Sequence, residues 1–223
     1  MPNDVARRAV PPLMEGMLAL ALVLGSARVA LAAPVVGFVE EFASAGQVGG
    51  WIGQPQITNP GTGGVGGAAD GYLSVSTRSV AGHLGSASFD AAYSGDWSTA
   101  GITLLKVYLN DTGIQDPLEI HFSIGNMTNF WQYNIGFTPP HQQWAVYYVN
   151  LTSSANWTQI RGTGSFESAL ASADRIHFRH DLAPFIQSPN NIQGEFGIDR
   201  VSLTAESVDV LPVSWGRLKA LYR

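Results

Sequence analysis

The sequence predicts an all-β fold, a two-sheet antiparallel jelly-roll β-sandwich in one domain with very little helix. Roughly ten short apolar segments are separated by turn residues. Two of these segments alternate clearly between apolar and polar residues, and 25 glycines and 12 prolines supply the turns. Alternation with one apolar face indicates a sheet that is covered on one side only. Since little helix is available as a cover, we expect two such sheets to bury their apolar faces against each other.

The alternation is clearest in residues 118–124 and 175–180. In the second segment, Ile176 and Phe178 share one face, and Arg175, His177 and Arg179 share the other. The remaining strands are predicted at 37–42, 71–77, 86–89, 102–109, 130–136, 144–151, 157–161 and 196–205. Only residues 165–173 indicate a helix, of about two turns.

The two ends of the chain differ from this pattern. Residues 1–33 are predicted to be a signal peptide, because Arg7 and Arg8 precede a short apolar segment and Ala30-Leu31-Ala32 offers a cleavage site. The alternative is a single N-terminal anchor helix. Residues 34–205 form the predicted sandwich. Residues 206–223 are predicted to be a linker and a basic, aromatic C-terminal tail, which is either a sorting or docking tag for the cell envelope or a terminus packed on the domain.

Composition excludes several classes of function. The chain is 45% hydrophobic and 13% charged, with a formal net charge of −5 and no cysteine. An acidic chain without a basic block lacks the charge pattern of a nucleic-acid binder. Without cysteine there is no disulfide, thiolate nucleophile or cysteine-based zinc site. No catalytic sequence motif is present, and the spacing of His177 and His180 on a strand points their rings to opposite faces.

Three stretches together resemble a known family. They are residues 38–42 (FVEEF), residues 94–98 (SGDWS) and residues 198–203 (IDRVSL). Their order resembles the laminin IV type (laminin B) domain and the carbohydrate-binding-module-like jelly rolls of exported bacterial proteins. The resemblance implies a structural or adhesive binding domain without a fixed enzymatic activity.

Two carboxylates occupy inward-facing positions if the strands alternate regularly. Glu40 shares a face with Phe38 and Phe42, and Asp199 shares a face with Val201 and Leu203. A buried carboxylate needs a cation or several hydrogen bonds, and jelly rolls of the family that the chain resembles often hold a structural calcium ion at this place. We therefore predict Ca²⁺ as a cofactor, with Glu40, Asp70 and Asp199 as ligands. The alternatives are a bulge that turns either carboxylate outward and an acid held by hydrogen bonds.

Aromatic residues form the second candidate site. Trp131 and Tyr133 share one strand face, and Trp144 and Tyr148 share another with Tyr147 opposite. Aromatic rings on a sheet face can stack on sugar rings, so these four are the predicted ligand-binding residues. The alternative is that the rings fill the core.

The predicted function is a non-catalytic, exported binding or adhesive domain for glycan or extracellular matrix. The predicted location is secreted or in the cell envelope, with no nucleic-acid partner and no integral membrane span in the mature chain. Two alternatives stay open: a polysaccharide-active enzyme, either hydrolase or lyase, and a structural surface protein retained by its C-terminal tail.

Overall fold

The computed structural model describes residues 33–54, 56–113 and 117–205. The predicted C-terminal tail and all but the last residue of the predicted signal peptide lie outside them. Within the described residues the strands are β1 Val39–Glu40, β2 Trp51–Gln54, β3 Gln56–Thr58, β4 Leu73–Ser76, β5 Gly82–His83, β6 Gly85–Ser88, β7 Leu104–Asp111, β8 Ile120–Asn126, β9 Asn129–Tyr133, β10 Ala145–Asn150, β11 Trp157–Gly162, β12 Arg175–His180, β13 Asn191–Ile192 and β14 Glu195–Thr204. A short helix, α1, covers Phe166–Leu170.

The strands form two large antiparallel sheets. Sheet A has the order β10-β7-β14-β4-β3, with β1 paired to β14. Sheet B has the order β11-β9-β8-β12-β6-β2, and β13 and β5 form a small separate pair. Neighbours in these orders are mostly distant in sequence, as in a jelly roll. The predicted fold class, an all-β jelly-roll sandwich with very little helix, is confirmed.

The core lies between the inner faces of the two sheets. The ring of Phe178 on β12 packs on Phe122 of β8 at 5.3 Å and on Trp51 of β2 at 6.1 Å between centroids. Sheet A supplies mainly aliphatic side chains that are fully buried, including Val107 and Ile198. Burial of these rings and aliphatic groups on both sheets is the main force that holds the sandwich together.

Helix α1 closes one end of this core. The Ser165 side chain accepts a hydrogen bond from the Ser168 backbone N–H and caps the helix. Phe166 packs on Trp157 at 4.6 Å and on Trp131 at 5.9 Å. The helix is shorter than the predicted 165–173 segment because it ends in a turn before β12.

Strand β14 contains a bulge that determines where its acidic residue points. Its pairing with β7 shifts between Asp199 and Ser202, and Arg200 has a positive φ of 48°. Two residues of β14 oppose one residue of β7 at this point, which reverses the alternation of side chains beyond it. Phe196 and Ile198 before the bulge and Val201 and Leu203 after it all belong to the core.

Among the described residues, no helix is both long enough and apolar enough to cross a membrane.

Candidate ligand-binding groove and the predicted site residues

A groove crosses the outer face of sheet B at β12. It consists of two hollows of about 560 Å³ and about 160 Å³ that share Arg175, His177, Arg179 and Gln187. The larger hollow extends over β6 and β2, and the smaller one extends towards β9 and β11. We call these two hollows together the β12 groove.

The groove exists because the strands on either side of β12 place small residues next to the His177 side chain. His177 pairs with Ala87 on one side and with Ser123 on the other. Arg179 pairs with Gly85, where an added Cβ would lie only 2.7 Å from the Arg179 Cβ. The neighbouring strands therefore leave open space on both sides of His177.

Apolar and cationic groups line the larger hollow. Phe89 is 43% exposed and Ile52 is 58% exposed, although both are large apolar side chains. The Arg175 guanidinium lies 4.7 Å from the centroid of the Phe89 ring and is held there by two contacts to Asp174, at 2.7 Å and 3.1 Å. Arg175 and Phe89 thus form a cation–π pair beside an open apolar surface.

His177 lies at the floor of the groove as a neutral ring. Burial, followed by the charges of Arg179 and Arg175, lowers the pKa of His177 to about 3. Its ring packs edge-on against Phe130 at 5.0 Å. Within the described residues its ring nitrogens have no hydrogen-bond partner, so a neutral donor and acceptor face the groove.

Arg179 builds one end of the groove. Its guanidinium donates to the Asp181 carboxylate at 2.7 Å and to the Gln132 side-chain oxygen at 2.7 Å. It also donates to the backbone carbonyls of Ile186 and Gln187. Since Asp181 and Arg179 are both buried, this network holds the segment 182–190 against sheet B and gives the groove a fixed wall.

Trp131 and Tyr133, two of the four predicted ligand-binding residues, face the core. Tyr133 is only 6% exposed and packs on Trp157 at 5.1 Å. Trp131 is half-buried against Phe166 of α1. Their shared face is the inner face of sheet B, where Tyr133 belongs to the core and the partly exposed Trp131 packs against it. This position favours the alternative that the rings fill the core, and ligand binding by these two residues stays a prediction.

The other two predicted residues lie on the outer face of sheet A. Tyr148 is 44% exposed and pairs in register with Lys106 of β7. Trp144 is half-buried, packs edge-on against Tyr72 at 5.3 Å and donates its indole N–H to the Gly63 carbonyl. Tyr147 points the other way and packs on Phe137 in the core. Trp144 and Tyr148 therefore stay predicted ligand-binding residues, on the face opposite to the β12 groove.

Asp199 differs from its predicted inward position. Because the bulge follows it, Asp199 shares the outer face of sheet A and is buried beneath the glycine-rich segment 61–71 instead. Its carboxylate accepts hydrogen bonds from the backbone N–H groups of Val65, at 2.8 Å, and Arg200, at 2.7 Å. Burial raises the pKa of Asp199 to about 6, against the lowering effect of these two hydrogen bonds.

Asp70 and Arg200 complete this cluster. Asp70 accepts a hydrogen bond from the Gly66 backbone N–H and lies 3.7 Å from the Arg200 guanidinium. The negative charge of Asp70 is one of the causes that raise the pKa of Asp199, and the positive charge of Arg200 lowers it. The two carboxylates therefore accept hydrogen bonds from three backbone N–H groups, and an arginine side chain lies beside them.

Glu40 is inward-facing as predicted but has different neighbours. It faces the Trp51 indole and the Tyr93 hydroxyl, and burial raises its pKa. No three acidic or histidine side chains in the described part of the chain come close enough to hold a metal ion. The geometry does not fit a calcium site built from Glu40, Asp70 and Asp199 together. Calcium as a cofactor stays an untested prediction, and Asp70 and Asp199 are the two of its three predicted ligands that lie in one cluster.

The groove residues were visible in the sequence only in part. The alternation of residues 175–180 already places Arg175, His177 and Arg179 on the polar face of a strand. Nothing in the sequence shows that small residues of β6 and β8 flank them, because those contacts join segments that are fifty or more residues apart. The sequence feature that indicates this groove is the presence of two arginines and a histidine on one strand face, rather than aromatic residues alone.

Solved structures share this fold at low sequence identity. An exo-β-agarase has a TM-score of 0.53 and 12% identity over 77% of this chain and 25% of its own. The tandem of two family 22 carbohydrate-binding modules from Paenibacillus barcinonensis Xyn10C has a TM-score of 0.51 and 19% identity over 78% of this chain and 51% of its own. The family 11 carbohydrate-binding module of Lic26A-Cel5E from Clostridium thermocellum has a TM-score of 0.46 and 17% identity over 77% and 96%.

The similarity to the first two structures shows a common fold and nothing more, since the identities are below one quarter. No family model matches the chain, and no curated protein matches it. The laminin B-type resemblance stays a prediction.

Proposed function

We propose that this chain is a non-catalytic carbohydrate-binding domain that holds a glycan in the β12 groove. The observation that carries the proposal is one groove that combines an exposed Phe89 ring with a His177 ring that has no hydrogen-bond partner among the described residues. Ligand sites are typically concave and mostly apolar, with a few well-placed polar groups. Extracellular matrix as the ligand source and export from the cell are further parts of the same proposal.

The chemistry of the groove suits a sugar ring. A pyranose presents C–H groups on its faces and hydroxyl groups at its edge. Phe89 and Ile52 offer apolar surface for the ring face, and Arg175, His177 and Gln187 offer donors and acceptors for the hydroxyls. Arg175 and Arg179 are already paired with acidic residues, so the groove does not depend on an anionic ligand.

Fold similarity supports the proposal without assigning a ligand. One structure with the same fold is named as a pair of carbohydrate-binding modules, and another is an exo-β-agarase of which the aligned part is one quarter. Because one fold hosts many functions, the proposal depends on the groove residues.

Replacement of the exposed ring tests the proposal. Phe89→Ala is expected to weaken binding about tenfold, close to 1.4 kcal/mol, because the ring-stacking contact is lost. The measurement is affinity electrophoresis in gels that contain xylan, β-1,3-1,4-mixed-linkage glucan or agarose, followed by calorimetry with the oligosaccharide that binds. Ile135→Ala is the matched control, since Ile135 is similarly exposed and does not line the groove.

Two results would contradict the proposal. One is equal affinity of the Phe89→Ala and wild-type proteins for every bound polysaccharide. The other is release of reducing ends from any of these polysaccharides by the wild-type protein, which would favour the enzyme alternative.

A further inference from the structure

The outer face of sheet A, opposite to the β12 groove, carries an aromatic pair beside a hydroxyl-lined hollow. Gly197 of β14 lies beneath Trp144 and Tyr72, since an added Cβ would come 2.7 Å from the Trp144 ring and 2.9 Å from the Tyr72 ring. Next to this pair is a hollow of about 430 Å³ lined by Gln56, Thr58, Ser74, Ser76, Arg78, Ser79 and Glu195. We call Tyr72, Trp144 and Glu195 the Trp144 site.

The two rings are held rigidly. The Trp144 indole N–H donates to the Gly63 carbonyl at 2.9 Å, and the Tyr72 ring meets the indole edge-on at 5.3 Å. Both side chains remain partly exposed. A ring that is fixed before a ligand arrives loses little conformational freedom on binding. The pair is therefore a prepared stacking surface.

Glu195 supplies polar recognition next to the rings. The Ser74 hydroxyl contacts Glu195, and Ser74 pairs with Gly197 beneath the Tyr72 ring, so the carboxylate lies close to the ring pair. Burial, followed by the negative charge of Glu195, raises the pKa of Tyr72. Thr112, Ser74 and Ser76 donate to the Glu195 carboxylate at 3.1 Å, 3.4 Å and 3.3 Å. The Arg78 guanidinium contacts it at 3.4 Å. All four distances lie at or beyond the long end of the range for hydrogen bonds. Shorter bonds from a ligand's hydroxyl groups would satisfy the carboxylate better.

The surroundings select a neutral ligand. Burial raises the pKa of Asp111, with a smaller contribution from the charge of Glu195, whereas the Gly113 N–H and the charge of His141 lower it. The Arg78 guanidinium balances the charge of Glu195, so the site does not depend on a charged ligand. Asn110, which pairs with Gly197, has a buried side-chain oxygen without a partner among the described residues. A ligand hydroxyl that reaches this oxygen would give it the donor that it lacks.

We infer that the Trp144 site binds a second, neutral glycan, so that one chain bridges two polysaccharide strands through opposite sheets. The inference extends the proposed function to a second face but depends on different residues. Trp144 and Tyr72 stack on the sugar ring, and Glu195 accepts hydrogen bonds from its hydroxyls. Tyr148 lies on the same face in β10, four residues after Trp144, and extends the stacking surface to a neighbouring sugar ring.

Variants of each face separate the two sites. In the polysaccharide gels, the Phe89→Ala protein is expected to retain a residual affinity. Adding Trp144→Ala or Glu195→Gln to this variant is expected to reduce that residual affinity at least tenfold. Wild-type protein on immobilised polysaccharide is expected to capture a second, labelled polysaccharide, and either single-face variant is expected to lose that capture. Should Trp144→Ala disturb folding, Glu195→Gln still tests the site because it keeps the shape of the side chain. The control is Val80→Ala, since Val80 is an exposed apolar residue outside both sites.

The outcomes are distinct for the two proposals. Unchanged binding and capture in Glu195→Gln and in a folded Trp144→Ala would overturn the Trp144 site and leave the β12 groove standing. Loss of all binding in Phe89→Ala would also overturn it. Full binding in Phe89→Ala that disappears in Glu195→Gln would overturn the groove and retain the Trp144 site. A wild-type protein that binds no polysaccharide would overturn both.

Discussion

The outer faces of sheet A and sheet B follow the same alternation of side chains but use their polar residues differently. On sheet B, Arg179 and Asp181 form a buried ion pair beneath the segment 182–190. On sheet A, the Arg78 guanidinium meets Glu195 at 3.4 Å, with more than half of the Arg78 side chain exposed. The comparison teaches that the polar face of a strand is not necessarily exposed to solvent. The fully buried pair supports the fold, whereas the pair with an exposed arginine is open to a ligand on one side.

The largest expected effect comes from breaking the pair on sheet B. Arg179→Met leaves Asp181 as a buried charge without its partner and removes the donors to two backbone carbonyls. Such a change costs about 3 kcal/mol or more. Arg78→Met on sheet A is the matched variant and is expected to cost less than about 1 kcal/mol. More than half of the Arg78 side chain is exposed, and three hydroxyls still donate to Glu195 when the guanidinium is removed. Urea unfolding measures both, and equal losses would show that the two faces do not differ in this way.

A second comparison concerns pH. The pKa of Asp199 is raised to about 6 in the folded protein, above its ordinary value of 3.8. Between these two values the folded state binds more protons than the unfolded state, so the free energy of unfolding falls as pH rises through this window. Asp199→Asn removes this contribution, and we expect the slope of stability against pH between 4 and 6 to flatten by up to about 1.4 kcal/mol per pH unit.

Thermal or urea unfolding at several pH values measures this slope. Glu167→Gln, which removes an exposed carboxylate on α1, is the control for the loss of one negative charge. A slope in Asp199→Asn identical to that of the wild type would mean that Asp199 ionises normally in the fold.

The smallest expected effect belongs to calcium at Asp70 and Asp199. A cation there would have to displace the Arg200 guanidinium and the backbone N–H groups that now serve the carboxylates. Ligand binding to the native state raises the melting temperature. If calcium binds, adding it to chelator-treated protein should raise the melting temperature slightly in the wild type and not in Asp199→Asn. A wild-type protein that melts identically with calcium and with chelator would exclude this site.

The longest strands were predictable because their alternation is local. Strand β12 lies at Arg175–His180 as predicted, and β7, β8, β10, β11 and β14 lie within two residues of their predicted bounds. The short strands β2, β3, β5 and β13 were missed, since two to four residues are too few to show a clear period. Gly53 in β2 and Gly82 in β5 weaken the strand pattern further. The first strand is shorter than predicted, and Phe42 just beyond it has a positive φ of 48°.

The predicted site residues show where sequence reasoning ends. Regular alternation assigns Asp199 to the face of Val201 and Leu203, but one extra residue in the bulge reverses that assignment. Trp131 and Trp144 look alike in the sequence, yet one packs under α1 and the other lies over Gly197. Each difference depends on contacts between segments that are far apart in the chain.

By itself, the sequence determined the fold class, most strands, and which residues of each strand share a face, because alternation with a period of two is written in neighbouring residues. It also excluded cysteine chemistry. Only the tertiary structure decided which polar faces are buried, which rings are exposed, and that Phe89 and His177 meet in one groove. Those properties depend on the order of strands in the sheets and on the packing of segments across them, and no local pattern specifies either.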